Sequence, residues 1–458
     1  MNNLSTGEFS TIILAAGKGT RMKSDLPKVL HRVGGKAMVN HVIDAAVAAG
    51  AVKNIVVVGF GRDKVAEVVG DAVQVVVQEE QLGTGHAVLQ AKKLINDDDT
   101  VMVLCGDTPL LTAKMLANFY DMHKSEHAQA SVLTAVMPNP TGYGRIIRAF
   151  NGDVKRIVEE KDATTAEKAI TEVNTGIYCF NGKDLFAALD KVGHDNAQGE
   201  YYLPDVLEIL QQQGKKIAAM AVKNYEATLG INSRQNLSEA ERILHRRKNR
   251  QLMAEGVTIM DPATTYIDVD VTVGRDTIIY PSTWIEGQSK IGSNCEIGPC
   301  SRFSDTMIGD EAVISFTYAH ECEIGAKTTI GPYVHLRPNT KIAAGVHIGN
   351  FVEVKNSNVG EGTKLPHLSY IGDSDIGSGV NMGCGTITVN YDGKVKQRTV
   401  IEDDAFVGCN SNLIAPVTVG KGSYVGAGST ITQDVPAGEL AVGRSRQKNI
   451  AKWKDKRN

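Results

Sequence analysis

Two architectures in series are what this sequence predicts: an α/β domain built on a parallel sheet, then a coil of short parallel β-strands. Three observations carry that prediction. Between residues 267 and 434 aliphatic residues return every sixth position, as in Ile401, Val407, Leu413, Val419, Val425 and Ile431. The first 232 residues instead alternate β-branched runs with amphipathic stretches. Between the two, residues 233–256 place Leu237, Ile243, Leu244, Leu252 and Met253 at helical spacing among Arg242, Arg246, Arg247, Lys248 and Arg250, and Gly256 supplies a stop.

The period of six holds through two further runs, Ile324, Ile330, Leu336, Ile342, Ile348, Val354 and Ile267, Val273, Ile279, Ile285, Ile291, Ile297. Neither the helical period nor strand alternation explains it. A solenoid does, with one short strand and one turn per hexapeptide and one aliphatic side chain facing inward. The pattern resembles the left-handed parallel β-helix of the hexapeptide-repeat transferases, in which three hexapeptides make one triangular coil.

At 458 residues and roughly 150 residues per average domain, three domains would fit, but repeats inflate that count. The reading is therefore two large domains, 1–232 and 257–458, joined by a solvated connecting helix over 233–256. Charge is balanced, 49 basic against 52 acidic residues, which gives no footprint for nucleic acid or a membrane surface. The seven cysteines form no CxxC pair, so neither a disulfide framework nor a zinc site is indicated. The opening residues are polar and the apolar run after them is too short for a signal peptide or a span. A cytoplasmic protein is expected.

In the first domain, strands are expected at Phe9–Leu14, Asn54–Val58, Val73–Val77 and Thr100–Cys105, with helices at Lys36–Ala49 and Thr112–Lys124. Such alternation argues for a parallel sheet covered on both faces, with ligands gathering at the carboxyl ends of the strands. After the first strand comes Leu14-Ala15-Ala16-Gly17-Lys18-Gly19-Thr20-Arg21-Met22. Its glycines let the backbone approach an anion, and Arg21 and Lys28 add charge where a polyphosphate would lie. Met22 replaces the third glycine of a dinucleotide fingerprint, and no Gly-Lys-Ser/Thr closes a P-loop.

LAAGKGTRM followed by LPK resembles the signature of the sugar-1-phosphate nucleotidyltransferases, a Rossmann-like fold. Further matches are Gln78 with Gln81-Leu82-Gly83-Thr84-Gly85-His86, Cys105-Gly106-Asp107, Thr141-Gly142-Tyr143-Gly144-Arg145, Val158-Glu159-Glu160-Lys161, Asn174-Thr175-Gly176 and Gly230-Ile231-Asn232. The resemblance implies that UTP and the nucleotide sugar contact Leu14, Ala15, Ala16, Gly17, Lys28, Gln78, Gly83, Thr84, Cys105, Gly106, Asp107, Gly144, Glu159, Asn174 and Asn232. It also implies Mg²⁺ on Asp107 and Asn232, with Arg21 and Lys28 catalytic. Taken alone, Asp107 could merely cap the helix starting near Thr112. His31 and His86 read as structural, because phosphoryl chemistry needs no imidazole.

In the coil, positions 18 apart stack on adjacent rungs roughly 4.8 Å apart. Arg337 and Lys355 are such a pair, and stacked like charges are unfavourable unless something negative lies between them. A substrate phosphate is the natural candidate. The period slips by one residue between Val354 and Val359 and between Ile371 and Ile376. Between the slips, Pro366 marks a bend in the wall beside His367. Arg337, Lys355, His367, Tyr370 and Asn381 are expected on one patch, with His367 as general base, an imidazole's pKa near ~6.5 suiting that task. After Thr388 about seven extra residues, including Asn390-Tyr391-Asp392-Gly393, form a projecting turn. Arg444 to Asn458, with seven cations, reads as a disordered tail.

Leu336-Arg337-Pro338, Asn350-Phe351-Val352-Glu353-Val354-Lys355, His367-Leu368-Ser369-Tyr370, Asn390-Tyr391-Asp392-Gly393 and Ala415-Pro416-Val417-Thr418-Val419-Gly420 resemble the acetyltransferase half of the bacterial bifunctional uridyltransferase/acetyltransferases. That resemblance covers essentially the whole chain. It implies that Arg337, Lys355, Tyr370 and Asn381 hold glucosamine 1-phosphate and that Cys384, Asn390, Tyr391, Cys409, Ala427 and Arg444 line an acetyl-CoA site. Positions 384 and 409 are cysteine where the family pattern has Ala and Ser. The implied activity is acetyl transfer to glucosamine 1-phosphate, then uridyl transfer from UTP, in a homotrimer sharing its acetyl-CoA sites. The alternative is a nucleotidyltransferase whose coil only oligomerises or regulates it, as in chains like ADP-glucose pyrophosphorylase.

Overall fold

A computed structural model describes residues 8–150, 152–451 and 453. The chain divides into two compact units between Leu244 and His245, inside the helix Arg234–Ala254. Among the described residues no helix is long and apolar enough to cross a membrane.

The first unit is built on nine strands: β1 (Phe9–Ala15), β2 (Ala51–Val58), β3 (Gln74–Val77), β4 (Thr100–Cys105), β5 (Ala130–Val136), β6 (Arg145–Arg148), β7 (Val154–Val158), β8 (Glu172–Asn181) and β9 (Ile217–Val222). Their order is β9-β5-β8-β4-β1-β2-β3, with β6 bridging β8 and β7. β4, β1, β2 and β3 run parallel, as the alternation predicts. The sheet is nevertheless mixed: β8 is antiparallel to both β4 and β5. The cause is the β6–β7 hairpin, which replaces a helical crossover and returns the chain in the opposite direction. Alternate side chains of the central strands enter two cores, Ile13, Val56 and Leu104 on one face and Ile12, Val57 and Val103 on the other. Thr112 caps the following helix by accepting from the Met115 backbone N–H, so Asp107 is free for other work.

The second unit is a left-handed parallel β-helix. Of the three predicted inward columns all but the half-buried Val273 are buried. A second inward column lies two residues before the inward residue of each hexapeptide and holds small groups, among them Thr277, Thr283, Ser289, Thr306, Thr363 and Thr386. Their hydroxyls donate to neighbouring carbonyls, as Thr277 does to Gly292 at 2.8 Å and Ser289 to Glu286 at 2.7 Å. Serine and threonine fit a tight coil because each satisfies its own hydroxyl on the backbone. The phase also fails at three places beyond those read from the sequence. Phe303 to Ile308, Ile314 to Ala319 and Ala319 to Ile324 are five-residue steps with both ends buried.

The stretch His245–Ala254 corrects the expected solvated connector. Lys248 is buried, and its Nζ donates to the Val269 carbonyl at 2.9 Å. Asn249 donates to the carbonyls of Thr265 (2.9 Å) and Pro262 (3.1 Å), while the Ile267 N–H donates to His245 Nδ1 (3.0 Å). Leu252 joins the coil's core. A solenoid's first rung has no preceding rung to hydrogen-bond, so its end needs a cap. This half-helix provides one, and burial pushes the Lys248 pKa down. Within the described part of the expected tail, Arg444 to Ala451 forms no helix or strand; most of the remainder lies outside the described residues.

Candidate active sites

In the first unit a cavity of about 290 Å³ opens at the carboxyl ends of β1 and β4. Leu14, Ala15, Ala16, Gly17, Lys28, Gln78, Gly83, Thr84, Cys105 and Asp107 all line it, so ten of the fifteen expected nucleotide contacts share one wall. Gly106 belongs to the same wall through its N–H, which donates to the Leu14 carbonyl at 2.9 Å. Gly19 has φ 64°, and a Cβ there would come within 2.5 Å of Lys28 Cβ. The loop's second glycine thus lets Lys28 approach.

Lys28 Nζ pairs with Asp107 and donates to Asn232 Oδ1 at 3.1 Å, while Arg21 donates to the same Asn232 oxygen at 2.9 Å. The Ile231 N–H donates to the Asp107 carbonyl at 2.9 Å, which brings residue 232 beside residue 107. Two oxygen donors distant in sequence therefore converge on one cation. One carboxylate and one amide oxygen suit a hard divalent ion that keeps several waters.

The side expected to take the base is held from beneath. Gln78 Nε2 donates to the Gly83 carbonyl and contacts His86 Nδ1, both at 3.1 Å. His86 is thereby structural, as is His31, which meets Arg234 and whose pKa is lowered by burial and that guanidinium. Gly83 could not carry a Cβ, which would lie 2.6 Å from the Tyr201 carbonyl. Glu200 also lines the cavity; no sequence motif singles out residues 200–201.

Gly144, Glu159 and Asn174 gather beside the cavity. The Asn174 N–H donates to the Gly144 carbonyl at 2.8 Å, and a Cβ on Gly144 would lie 3.1 Å from Glu159 Oε1. Burial, then the Asp162 and Asp205 carboxylates, push the Glu159 pKa up. Burial, with Glu208 and Asp162, likewise raises Asp205 to about 6. Burial, then Asp107, raises the Cys105 thiol to about 12, so it is a neutral packing group.

In the coil, Arg337, Lys355 and Tyr370 meet at one corner. Their charges already have protein partners: Arg337 Nη1 donates to Glu353 at 2.9 Å, and Lys355 lies 3.5 Å from Asp373. The expectation that a substrate alone separates the stacked cations is therefore corrected. Asp373, one residue past Gly372, the register partner of Lys355 on the next rung, is buried and also accepts from Asn356 and Asn390. Burial raises its pKa, but the two amides and Lys355 outweigh that and leave it lowered. Lys396, from the insertion, joins the group: contact with Lys355 and the charges of Lys355 and Arg337 depress its pKa. Three cations against Glu353 and Asp373 leave the corner positive, as a phosphate site requires. Neither Asp373 nor Lys396 was singled out from sequence, though 373 is 18 beyond 355.

His367 is held by a contact of its own. It pairs in register with Asn350, and its Nδ1 contacts Asn350 Oδ1 at 2.9 Å. Three residues, at most roughly 10 Å of chain, separate it from Tyr370, whose hydroxyl leans instead toward Gly372 and Asn390. Asn381 pairs with Lys364 on the preceding strand. Among the described residues no hydrogen bond joins His367 or Asn381 to Arg337, Lys355 or Tyr370. The expected bend at Pro366 does not interrupt the strand. Lys364–Gly372 is one continuous strand that turns the corner while paired to His347–Lys355.

Of the expected acetyl-CoA residues, Cys384, Cys409 and Ala427 occupy successive rungs of one corner. The Asn410 N–H donates to the Cys384 carbonyl (2.7 Å) and the Gly428 N–H to the Cys409 carbonyl (2.8 Å). Arg444 reaches the same corner, its Cδ 4.0 Å from where a Cβ of residue 428 would stand. Asn390 is elsewhere, bonded to Asp373, and Tyr391 is exposed in the insertion's turn, its hydroxyl donating to the Gly393 carbonyl at 2.7 Å.

Comparison with known proteins covers both units. Residues 11–174 match the MobA-like NTP transferase domain, and residues 321–356 and 398–433 match the bacterial transferase hexapeptide (six repeats). Over the full length the chain is similar to proteins named Bifunctional protein GlmU. It is 55% identical to that of Geobacillus sp. (strain WCH70) over 97% of both chains. It is 53% identical to that of Halalkalibacterium halodurans and 50% identical to that of Clostridioides difficile, each over 98% of both chains.

Proposed function

The chain belongs to the family of the bifunctional protein GlmU, and we propose that its two activities reside one in each unit. The enzyme acts in UDP-N-acetylglucosamine synthesis. It transfers acetyl from acetyl-CoA to glucosamine 1-phosphate, then uridylyl from UTP to the N-acetylglucosamine 1-phosphate formed. The observation that carries the site assignment is Lys28 bound to both Asp107 and Asn232 at the mouth of a glycine-walled cavity.

In the uridyl site, a phosphate oxygen of N-acetylglucosamine 1-phosphate attacks the α-phosphorus of UTP, and the bond to pyrophosphate breaks. There is little covalent work for side chains, so alignment and charge neutralisation dominate. The backbone of Leu14 to Gly17 cradles the phosphates, Gln78, Gly83 and Thr84 hold the base, and Gly144, Glu159 and Asn174 hold the sugar. Arg21 and Lys28 face the reacting phosphates. Asp107 and Asn232 would hold Mg²⁺, which when bound supplies charge neutralisation at the phosphates. Lys28 then moves from these oxygens to the phosphate.

In the acetyl site, Arg337, Lys355 and Lys396 bind the sugar phosphate with Tyr370 and Asn381. Asn350 Oδ1 accepts from His367 Nδ1–H, which leaves Nε2 unprotonated. Nε2 takes a proton from the 2-amino group as its nitrogen attacks the thioester carbonyl, and the thiol of coenzyme A leaves. The hexapeptide-repeat coil supports assembly as a homotrimer packed along the coils. The exposed side chains of Phe316, Tyr333, Phe351 and Leu368 beside His367's corner supply an apolar strip for that packing.

The test is to incubate the protein with glucosamine 1-phosphate, acetyl-CoA, UTP and Mg²⁺ while following free thiol and pyrophosphate separately. His367→Ala abolishes thiol release yet leaves uridyl transfer to added N-acetylglucosamine 1-phosphate. A chelator does the reverse. Equal loss of both activities in either arm rejects the division.

A further inference from the structure

Five of the seven cysteines fall into two kinds. Cys105, Cys295 and Cys322 direct Sγ at backbone carbonyls, at 3.6 Å (Gly176), 3.2 Å (Gly309) and 3.3 Å (Arg337). Cys384 is half-buried and Cys409 exposed. Among the described residues neither has a hydrogen bond to its sulfur.

These two face each other across one rung. Asn381 pairs with Phe406 and Met382 with Val407. The Gly383 N–H donates to the Val407 carbonyl and the Asn410 N–H to the Cys384 carbonyl, both at 2.7 Å. In a parallel ladder that pattern sets residue 384 opposite residue 409. Both stand two residues after an inward aliphatic side chain and just before a left-handed corner, Gly385 at φ 75° and Asn410 at φ 55°, so they occupy equivalent outward positions. The 25 residues between them hide the pairing from a search at the regular spacing of 18, because the insertion lies between the rungs.

Adjacent rungs put the two Cα atoms roughly 4.8 Å apart, inside the range of about 4.4–6.8 Å that a disulfide spans. In-register Cβ atoms are separated by about the same 4.8 Å, so closing to the usual ~3.8 Å needs about 1 Å of side-chain and corner movement. The corner is exposed and can give that.

We propose that Cys384 and Cys409 are a redox-active dithiol that closes to a disulfide under peroxide and thereby stops acetyl transfer. The peroxide O–O bond breaks as the Cys409 sulfur takes one oxygen as sulfenic acid, the other leaving as hydroxide that takes up the thiol proton to become water. Cys384 sulfur then attacks the Cys409 sulfur, and the sulfenic oxygen leaves as a second water. Two thiols are oxidised and one peroxide is reduced to two waters, with no further reactant. Reduction by a dithiol reopens the pair. The effect on acetyl transfer rests on the acetyl-CoA reading of this corner, where Ala427 and Arg444 flank the pair; the cross-link itself rests on register alone.

The experiment treats the full-length enzyme with hydrogen peroxide and maps disulfides by mass spectrometry of a non-reducing digest. Acetyl and uridyl transfer are assayed on the same sample. The expected result is a 384–409 cross-linked peptide, at least a tenfold fall in acetyl transfer, unchanged uridyl transfer and recovery with dithiothreitol. Cys300→Ser, which removes the other exposed cysteine, behaves the same. Cys384→Ala and Cys409→Ser, each compared with its own untreated rate, form no cross-link and lose less than twofold. Absence of the cross-link, or oxidation of Cys409 to sulfinic acid alone, overturns the dithiol. A cross-link without loss of acetyl transfer overturns the switch. Protection of Cys409 from iodoacetamide by acetyl-CoA tests the site reading separately.

Discussion

Gly349→Ala separates the coil's stability from its catalysis. Gly349 lies on the strand His347–Lys355, one residue before the Asn350 that holds His367. A Cβ there would come within 1.8 Å of the Pro366 carbonyl oxygen and 2.7 Å of its carbon. Restoring ordinary contact of about 3.4 Å requires about 1.6 Å of movement, and the obstruction is backbone, which cannot rotate away. The rung carrying Pro366 and His367 must therefore shift relative to the rung carrying Asn350. The loss of chain entropy in the unfolded state would stabilise an alanine by only about 0.4–1 kcal/mol, against about 1–3 kcal/mol for overpacking. Net destabilisation is about 1–2 kcal/mol, which the many remaining rungs tolerate. Displacing a general base by 1 Å or more costs on the order of 10²-fold. Acetyl transfer, measured as thiol release, should fall about a hundredfold in kcat/KM while uridyl transfer holds and the coil melts a few degrees lower. Acetyl transfer within twofold of the parent, in a folded protein, would refute the assignment of His367 and its rung to the chemistry.

Three further outcomes are expected. Lys28→Ala removes the cation shared by Asp107 and Asn232; uridyl transfer should fall about 10²–10³-fold, on the scale of losing a preorganised electrostatic group, with acetyl transfer intact by thiol assay. Asp373→Ala leaves Lys355, Asn356 and Asn390 without their shared acceptor, so KM for glucosamine 1-phosphate should rise about tenfold, equivalent to about 1.4 kcal/mol, and an unchanged KM rejects this role. The buried His123 contacts Ser131 at 2.8 Å, and burial, then Lys124, lower its pKa from 6.5 to about 4. A folded-state pKa below the unfolded one gives stability that is present above pH 6.5 and lost as pH falls toward 4, about 3 kcal/mol in all at ~1.36 kcal/mol per unit. Urea titrations of the wild type and His123→Gln across that window should differ in slope by about one proton; parallel curves refute it.

The coil was legible because a solenoid writes its geometry into the chain with a fixed period. Ile401 to Ile431 could be placed inward from sequence, and they are buried. The small inward column of Thr and Ser was not legible, because those residues are equally common in surface turns. The first unit's parallel strands announced themselves by β-branched runs, but the antiparallel β8 did not, since direction in a sheet is set by the connection. Its nucleotide loops were readable because glycine positions mark backbone approach, as at Gly19 and Gly83. Asp373 and Lys396 were missed for a different reason. Their importance lies in what they touch across rungs: no motif marks an aspartate 18 residues past Lys355, and the insertion breaks the arithmetic that would have aligned Lys396.

Those irregularities sit where chemistry is expected for a physical reason. A regular rung turns each corner with one αL residue and presents equivalent outward positions, so successive corners differ only in side chain. The shortened corner at Asn356 and Asp373 draws a carboxylate inward, and there it is buried among two amides and an ammonium. The insertion after Thr388 folds Asn390 and Lys396 back over the same corner. Each break adds a polar group that a uniform coil has no place for, and the sum is a positive site on an otherwise neutral wall. Restoring the period should therefore dismantle the site and leave the coil. Deleting the insertion between Thr388 and Thr399 should keep the parallel ladder, melting cooperatively, while acetyl transfer is lost and uridyl transfer persists. A deletion variant that still acetylates glucosamine 1-phosphate would place the phosphate elsewhere.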